Sequence, residues 1–256
     1  MARYEFIASD IHLGAVSPET ERAFLAFLEH VGAHGSALLF AGDLFDFWFE
    51  YGRVIEGRHF RVLAALASLV DAGIPVTLAG GNHDAWGGRF LTDEVGLNFK
   101  AGPFRMELAG RPALVAHGDG LGGGDFRYRA LKSILHSRAT IGLFRWIHPE
   151  LGLRIANSAS RTETRPDSDP GLRDRAAFIE TWARGQLASD PAIAWVVCGH
   201  AHMPALIEVE PRRFYLNAGD WLTHFSYITI DAAGTPSLKN WPVASQSAPT
   251  PAARSP

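Results

Sequence analysis

Short apolar runs alternate along this chain with stretches whose apolar residues recur every three to four positions, a pattern that predicts strands and amphipathic helices in turn. Tyr4 to Ser9 reads as the first strand. Ser17 and Pro18 supply a helix cap and a first-turn proline ahead of Phe24, Phe27, Leu28 and Val31, which share one helical face. Ala37 to Ala41 predicts the second strand, His59 to Asp71 a helix closed by Gly73, and Ile74 to Ala79 the third strand. Phe104 to Leu108 and Pro112 to Ala116 read as a hairpin around Ala109-Gly110-Arg111. Leu172 to Leu187 carries a further helical stripe and leads into the strand Val196-Val197-Cys198. Ala205 to Glu210, Arg213 to Leu216 and Phe225 to Ile230 are expected as antiparallel strands of a second sheet. Strand, helix and strand in this order imply an α/β fold with parallel strands and crossover helices, which gathers ligands at the carboxyl ends of its strands.

The pattern changes between about residues 122 and 170. Gly122-Gly123-Gly124 opens a segment with short helical patterns and no strand, closed by the polar turn Pro166-Asp167-Ser168-Asp169-Pro170-Gly171. It is expected to be a helical insertion over the site, within one domain covering residues 1–243. Its apolar residues, among them Leu131, Leu135, Phe144 and Trp146, are divided between packing onto the body and lining a slot. Residues 244–256 are rich in Pro, Ala and Ser and read as a disordered tail.

Composition narrows the function classes. With 256 residues, 47% of them apolar, the chain is long enough to bury a large core without covalent staples. A net charge of −3 lacks the positive balance that duplex nucleic acid favours, so nucleic acid is not an expected partner. The single cysteine, Cys198, forms no internal disulfide and reads as a core residue. The N-terminus runs straight into a strand and no apolar run approaches the ~18 residues of a bilayer span, so the cytoplasm or the cytoplasmic face of the inner membrane is the expected location.

Candidate chemistry concentrates at strand ends. Asp10-Ile11-His12, Gly42-Asp43, Gly80-Gly81-Asn82-His83-Asp84, Ala116-His117-Gly118-Asp119 and Gly199-His200-Ala201-His202 each follow a predicted strand. Asp10, His12, Asp43, Asn82, His117, His200 and His202 together offer carboxylate, amide oxygen and imidazole donors. That mixture suits Mn²⁺, Fe²⁺, Co²⁺ or Zn²⁺ better than Mg²⁺ or Ca²⁺. The set exceeds the need of one ion and matches two ions about 3.5–4 Å apart that share one carboxylate. The adjacent glycines permit the close backbone approach that such clustering demands. Phe45, Phe47, Trp48, Phe49 and Tyr51 follow Asp43, either as core packing or as an apolar wall for part of a ligand.

The ordered set D-x-H, GD, GNHD, H-G-D and GHAH, from Asp10 to His202, resembles the calcineurin-like metallophosphoesterases. That resemblance implies a four-layer α/β sandwich, two mixed β-sheets flanked by helices. It also implies one metal on Asp10, His12, Asp43 and His202 and a second on Asp43, Asn82, His117 and His200, with Asp43 bridging. Gly42-Asp43-Leu44-Phe45-Asp46-Phe47-Trp48, and His117-Gly118-Asp119-Gly120-Leu121 followed by Asp125 and Tyr128, are similar to the UDP-2,3-diacylglucosamine hydrolases of lipid A synthesis. Those enzymes use Mn²⁺ at the inner face of the cytoplasmic membrane to split a nucleotide-sugar lipid into UMP and 2,3-diacylglucosamine 1-phosphate, and they carry a helical lid.

By the same resemblance Tyr128, Arg154, Asn157, Ser158 and Ser160 would contact substrate, while Asn82, His83 and His200 would face the phosphoryl group. The chain departs from the family in having His83 where arginine is usual. A phosphate leaves readily beside a fixed positive charge. A sugar or alkyl alkoxide instead benefits from a proton donor, the role expected of His83 oriented by Asp84. The pattern therefore leaves open a metallophosphoesterase acting on another phosphomonoester or phosphodiester, a nucleotide or a phosphoprotein. It also leaves open a non-catalytic assembly module, which would tend to lose the donors that this chain retains.

Overall fold

The computed structural model describes residues 3–51, 54–121, 137–159, 162 and 167–242. The first strand, β1 (Tyr4–Ala8), ends in the loop that carries Asp10 and His12. Helix α1 (Pro18–His34) starts where Ser17 accepts a hydrogen bond from the Thr20 N–H, as its cap sequence requires. β2 (Gly35–Phe40), a short 3₁₀ turn, α2 (Phe60–Asp71) and β3 (Val76–Gly80) follow. The chain continues through β4 (Asn98–Ala101), β5 (Phe104–Leu108), β6 (Arg111–Ala116), α3 (Arg138–Phe144), α4 (Pro149–Ala159) and α5 (Pro170–Ser189). It closes with β7 (Trp195–Cys198), β8 (Ala205–Glu210), β9 (Arg213–Asn217), β10 (Ser226–Ile230) and β11 (Pro236–Asn240).

The strands form two mixed sheets, one in the order β11-β10-β1-β2-β3-β4 and the other β5-β6-β7-β9-β8. Alternate side chains on each central strand enter different apolar layers, as a two-residue period dictates. Phe6, Leu38, Phe40, Val76 and Leu78 pack against Phe24, Phe27 and Leu66 of α1 and α2. Ile7, Leu39 and Ala79 face the opposite way and meet Val115, Trp195, Val197 and Leu216 of the second sheet. Val196, Cys198 and Tyr215 then bury the α5 residues Ile179, Ala183 and Leu187. The result is helix, sheet, sheet, helix, the α/β sandwich expected from the motifs. Cys198 sits in the last of these layers, where burial pushes its thiol far above its ordinary value and leaves it an inert core residue.

One part of the second-sheet expectation is corrected. β10 lies in the first sheet, antiparallel to β1 with Phe6 opposite Thr229. β9 is antiparallel to β8 but parallel to β7, with Val197 opposite Leu216. Alternation along a strand reports which faces are apolar, not which neighbour the backbone takes. The edge strands β4 and β11, mostly exposed, were not anticipated at all.

In the 122–170 segment, residues 122–136, 160–161 and 163–166 lie outside the described residues, as does the 244–256 tail. The described portion contains α3 and α4. Phe144, at the end of α3, packs its ring 4.7 Å from that of Phe49. Among the described residues no helix is long and apolar enough to cross a membrane.

Candidate metal centre

β1, β2 and β3 run parallel in one sheet, and β6 and β7 run parallel in the other, so their carboxyl ends open on a common edge. The loops leaving those ends are tied to one another. Asp10 and His12 donate backbone N–H bonds to the carbonyls of Gly42 and Asp43 (3.1 Å each), Gly199 donates to His117 (2.8 Å), and Trp221 donates to Asp10 (3.1 Å). The N–H of His200 reaches both carboxylate oxygens of Asp10, at 3.1 and 3.0 Å.

This knitting holds the backbone in an unusual state. Asp10, His12, Asp43, His200 and His202 all have positive φ, between 51° and 62°. For residues other than glycine that conformation costs about 1–2 kcal/mol each, and such strain collects where function fixes a side-chain direction. Glycine is required nearby for a different reason. A Cβ on Gly81 would collide with the Asp43 carboxylate, and one on Gly42 would collide with the His117 ring.

All seven predicted donors come together. Nε2 of His202 lies 3.4 Å from Asp10, Nε2 of His12 lies 3.9 Å from Asp43, and Nε2 of His117 lies 3.1 Å from the same Asp43 oxygen and 3.2 Å from the amide oxygen of Asn82. His200 joins Asp43 and His117 in a trio whose donor atoms lie within 4.8 Å of one another. Donors bonded to one cation at 2.0–2.2 Å stand about 3 Å apart, so the spacing fits divalent metal ions. An independent sign is Nε2 of His12, buried and without a hydrogen-bond partner. An orphaned imidazole nitrogen among carboxylates is what a vacancy-free polar core avoids and a cation satisfies.

The electrostatics agree. Burial alone would push the Asp43 carboxyl up, but His117 beside it holds it well below its ordinary value. Burial works against charge on His117 too, yet Asp43 raises it to about 10. His200, by contrast, is lowered by burial and by His117 to about 3, leaving a neutral ring ready to donate a lone pair. Metal binding at His117 must displace its proton, so affinity there is coupled to pH.

The expected contact between His83 and Asp84 is corrected. Asp84 accepts from the N–H groups of Gly81 (2.8 Å) and Leu44 (2.7 Å) and so shapes the turn itself. Burial, with Asp43 adding, pushes its carboxyl up to about 6. Nδ1 of His83 instead lies 2.7 Å from the carbonyl oxygen of Asp46, the residue clusters with His12 and Asp43, and the His12 ring stands edge-on 4.8 Å away. Asp46 was missed as a site residue because the run around it reads by its aromatics. Its carboxylate approaches Nδ1 of His12 at 3.5 Å and accepts from the Thr162 hydroxyl.

Of the anticipated substrate contacts, Arg154 is exposed on α4. Tyr128 and Ser160 lie outside the described residues. Asn157 and Ser158 fall in α4, with side chains outside the description. Phe47, Phe49 and Trp86 from the body and Thr140, Ile141 and Phe144 from α3 enclose an apolar cavity of about 70 Å³.

The family described as calcineurin-like phosphoesterase matches residues 6–204 of the chain. A protein of Porphyromonas gingivalis named UDP-2,3-diacylglucosamine hydrolase is 29% identical over 248 residues, covering 88% of this chain and 93% of that one. One of the same name from Yersinia pestis is 32% identical over 205 residues, covering 80% and 84%. Among solved structures, a dimetal phosphatase from Danio rerio aligns at TM-score 0.45 and 9% identity, over 94% of this chain and 99% of that one.

Proposed function

The chain belongs to the calcineurin-like phosphoesterase family, and from that we propose that it hydrolyses the pyrophosphate bond of UDP-2,3-diacylglucosamine, giving UMP and 2,3-diacylglucosamine 1-phosphate. It is a metal-dependent hydrolase. The single observation that supports this reading most is the gathering of seven donors from five loops, among them the orphaned Nε2 of His12. The two relatives of that name, similar over most of the chain, point to the substrate.

In this reading Asp10, His12, Asp43 and His202 hold one divalent ion and Asp43, Asn82, His117 and His200 the other, with Mn²⁺ the foremost candidate. Such a pair supplies Lewis acidity toward phosphoryl oxygens and a water that ionises near neutral pH. Asp43, drawn to His117 and positioned between the two sets, is the bridging ligand. Asn82, His83 and His200 face the phosphoryl group, and the His83 nitrogen directed away from Asp46 is placed to hold or give a proton at the leaving oxygen. Tyr128, Arg154, Asn157, Ser158 and Ser160 are the remaining substrate contacts proposed.

The apolar cavity lined by Phe47, Phe49, Trp86 and Phe144 takes part of an acyl chain, with α3 and α4 serving as the lid. Leu143, Trp146 and Leu151, 72%, 90% and 52% exposed, stand beside the exposed Arg145 and Arg154. Apolar and aromatic side chains mixed with cations suit peripheral contact with the cytoplasmic face of the inner membrane.

The test is incubation of the purified, Mn²⁺-loaded protein with UDP-2,3-diacylglucosamine. Stoichiometric UMP is expected, with at least about a thousandfold loss of rate in Asp43→Ala. No UMP under conditions that hydrolyse a chromogenic phosphodiester would overturn the substrate and keep the phosphoesterase.

A further inference from the structure

Asp220, in the loop between β9 and β10, is 3% exposed and has no role in the site as read above. Its two carboxylate oxygens are divided between different partners. Oδ1 accepts from the backbone N–H groups of Leu222 (3.2 Å), Thr223 (2.8 Å) and His224 (2.9 Å), and Nδ1 of His224 lies 3.3 Å away. Oδ2 lies 3.3 Å from Nδ1 of His202. The other nitrogen of His202 is the one 3.4 Å from Asp10. The far side of His224 meets Asp167 at 3.1 Å.

A neutral imidazole binds a cation only through its bare nitrogen, and the hydrogen bond made by the other nitrogen decides which one that is. Nδ1 of His117 lies 2.9 Å from the carbonyl oxygen of Ala41. Nδ1 of His12 has the carboxylate of Asp46, which also serves Thr162 and stands 3.7 Å from His83. Asp220 differs in that three backbone donors fix its carboxylate before His202 is considered.

We propose that Asp220 is a positioning residue: through the hydrogen bond to Nδ1 it holds His202 in the tautomer that presents a bare Nε2 to the metal shared with Asp10, His12 and Asp43. The inference rests on the two-metal reading above and deepens it. Asp220 also anchors residues 222–224, so a useful test must separate the two roles.

Asp220→Asn does so. Three N–H donors facing one position require the amide oxygen there, which keeps the loop anchored and turns the NH₂ group toward His202. Nδ1 must then accept, the ring proton moves to Nε2, and the nitrogen needed for the metal is blocked. Calorimetric titration of metal-stripped protein with Mn²⁺ should show two ions bound by the wild type. The variant should lose about 10–100-fold in affinity for one ion and hold the other within about threefold. The electron paramagnetic resonance spectrum should change from a coupled pair to a single Mn²⁺, while the melting temperature of the stripped protein stays within about 2 °C. In a His202→Ala background, Asp220→Asn should add no further loss.

Wild-type affinity in the variant, an additive loss in the double mutant, or a weakening that only follows a fall in melting temperature would each reduce Asp220 to a loop anchor and overturn the proposal. Failure of the wild type to bind Mn²⁺ would instead remove the two-metal reading itself, and this inference with it.

Discussion

Asp46 and His83 show how far one contact alters a chemical expectation. With Nδ1 of His83 2.7 Å from a backbone carbonyl, Nε2 is the atom that the proposed proton transfer to the leaving group would use. A proton donor matters more as the leaving group becomes more basic. His83→Ala should therefore slow hydrolysis of p-nitrophenyl esters by about tenfold and of alkyl esters by about 10²–10⁴-fold, measured as a steeper dependence of rate on leaving-group pKa. An equal loss across the series would leave His83 with charge stabilisation only. The residues that converge at the strand ends stand out in the sequence, because each follows an apolar run and most sit beside a glycine. What could not be read is how they are held. Positive φ at Asp10, His12, Asp43, His200 and His202 arises from hydrogen bonds between loops far apart in sequence. The partners Asp46 and Asp220 reach their histidines only through the fold, and no spacing in the chain announces either contact.

Among the elements, those with a face in a core were legible, the edge strands β5 and β8 included, and the mostly exposed edge strands β4 and β11 were not. β1, β3, β5, β6 and α1 have apolar patterns strong enough to fix their type. β4 and β11, with sequences Asn98-Phe99-Lys100-Ala101 and Pro236-Ser237-Leu238-Lys239-Asn240, contribute little to any core and carry no comparable pattern. α3 is short, yet Phe144 ties it to Phe49 at 4.7 Å and to Phe47 at 6.3 Å, and with Ile141 it closes the apolar cavity. If that cavity receives an acyl chain, Phe144→Ala should raise KM for the diacylated substrate by about tenfold, the worth of part of a buried aromatic side chain. Hydrolysis of a small water-soluble phosphodiester should change less than about twofold. Equal effects on both substrates would make α3 a structural prop.

The molecule as a whole depends on buried groups that stay neutral away from the site. His59 is 1% exposed, lies with its ring tilted 5.0 Å from that of Phe45 and has a buried Nδ1 without a partner. Burial, with Arg58 adding, lowers it from 6.5 to about 4. Between those values the unfolded chain takes up the proton and the folded protein does not, so stability is lost as pH falls from about 6.5 to about 4. The loss amounts to about 2–3 kcal/mol. Urea unfolding of metal-stripped protein at pH 6.5 and 4.5 should show that decline, and His59→Phe should remove most of its share; parallel pH slopes in the two proteins would contradict it. Strand periodicity implied an α/β fold and the family resemblance its four layers, whereas the placement of β10 beside β1 was not legible, since pairing is chosen by the assembled sheet.

The sandwich brings five loops to one edge, where we propose that their donors grip two cations across Asp43. Anomalous diffraction from crystals soaked in Mn²⁺ tests it most directly. The expected map has two peaks about 3.5–4 Å apart, one against Asp10, His12 and His202, the other against Asn82, His117 and His200, with Asp43 touching both. A single peak, or peaks away from these residues, would contradict the claim.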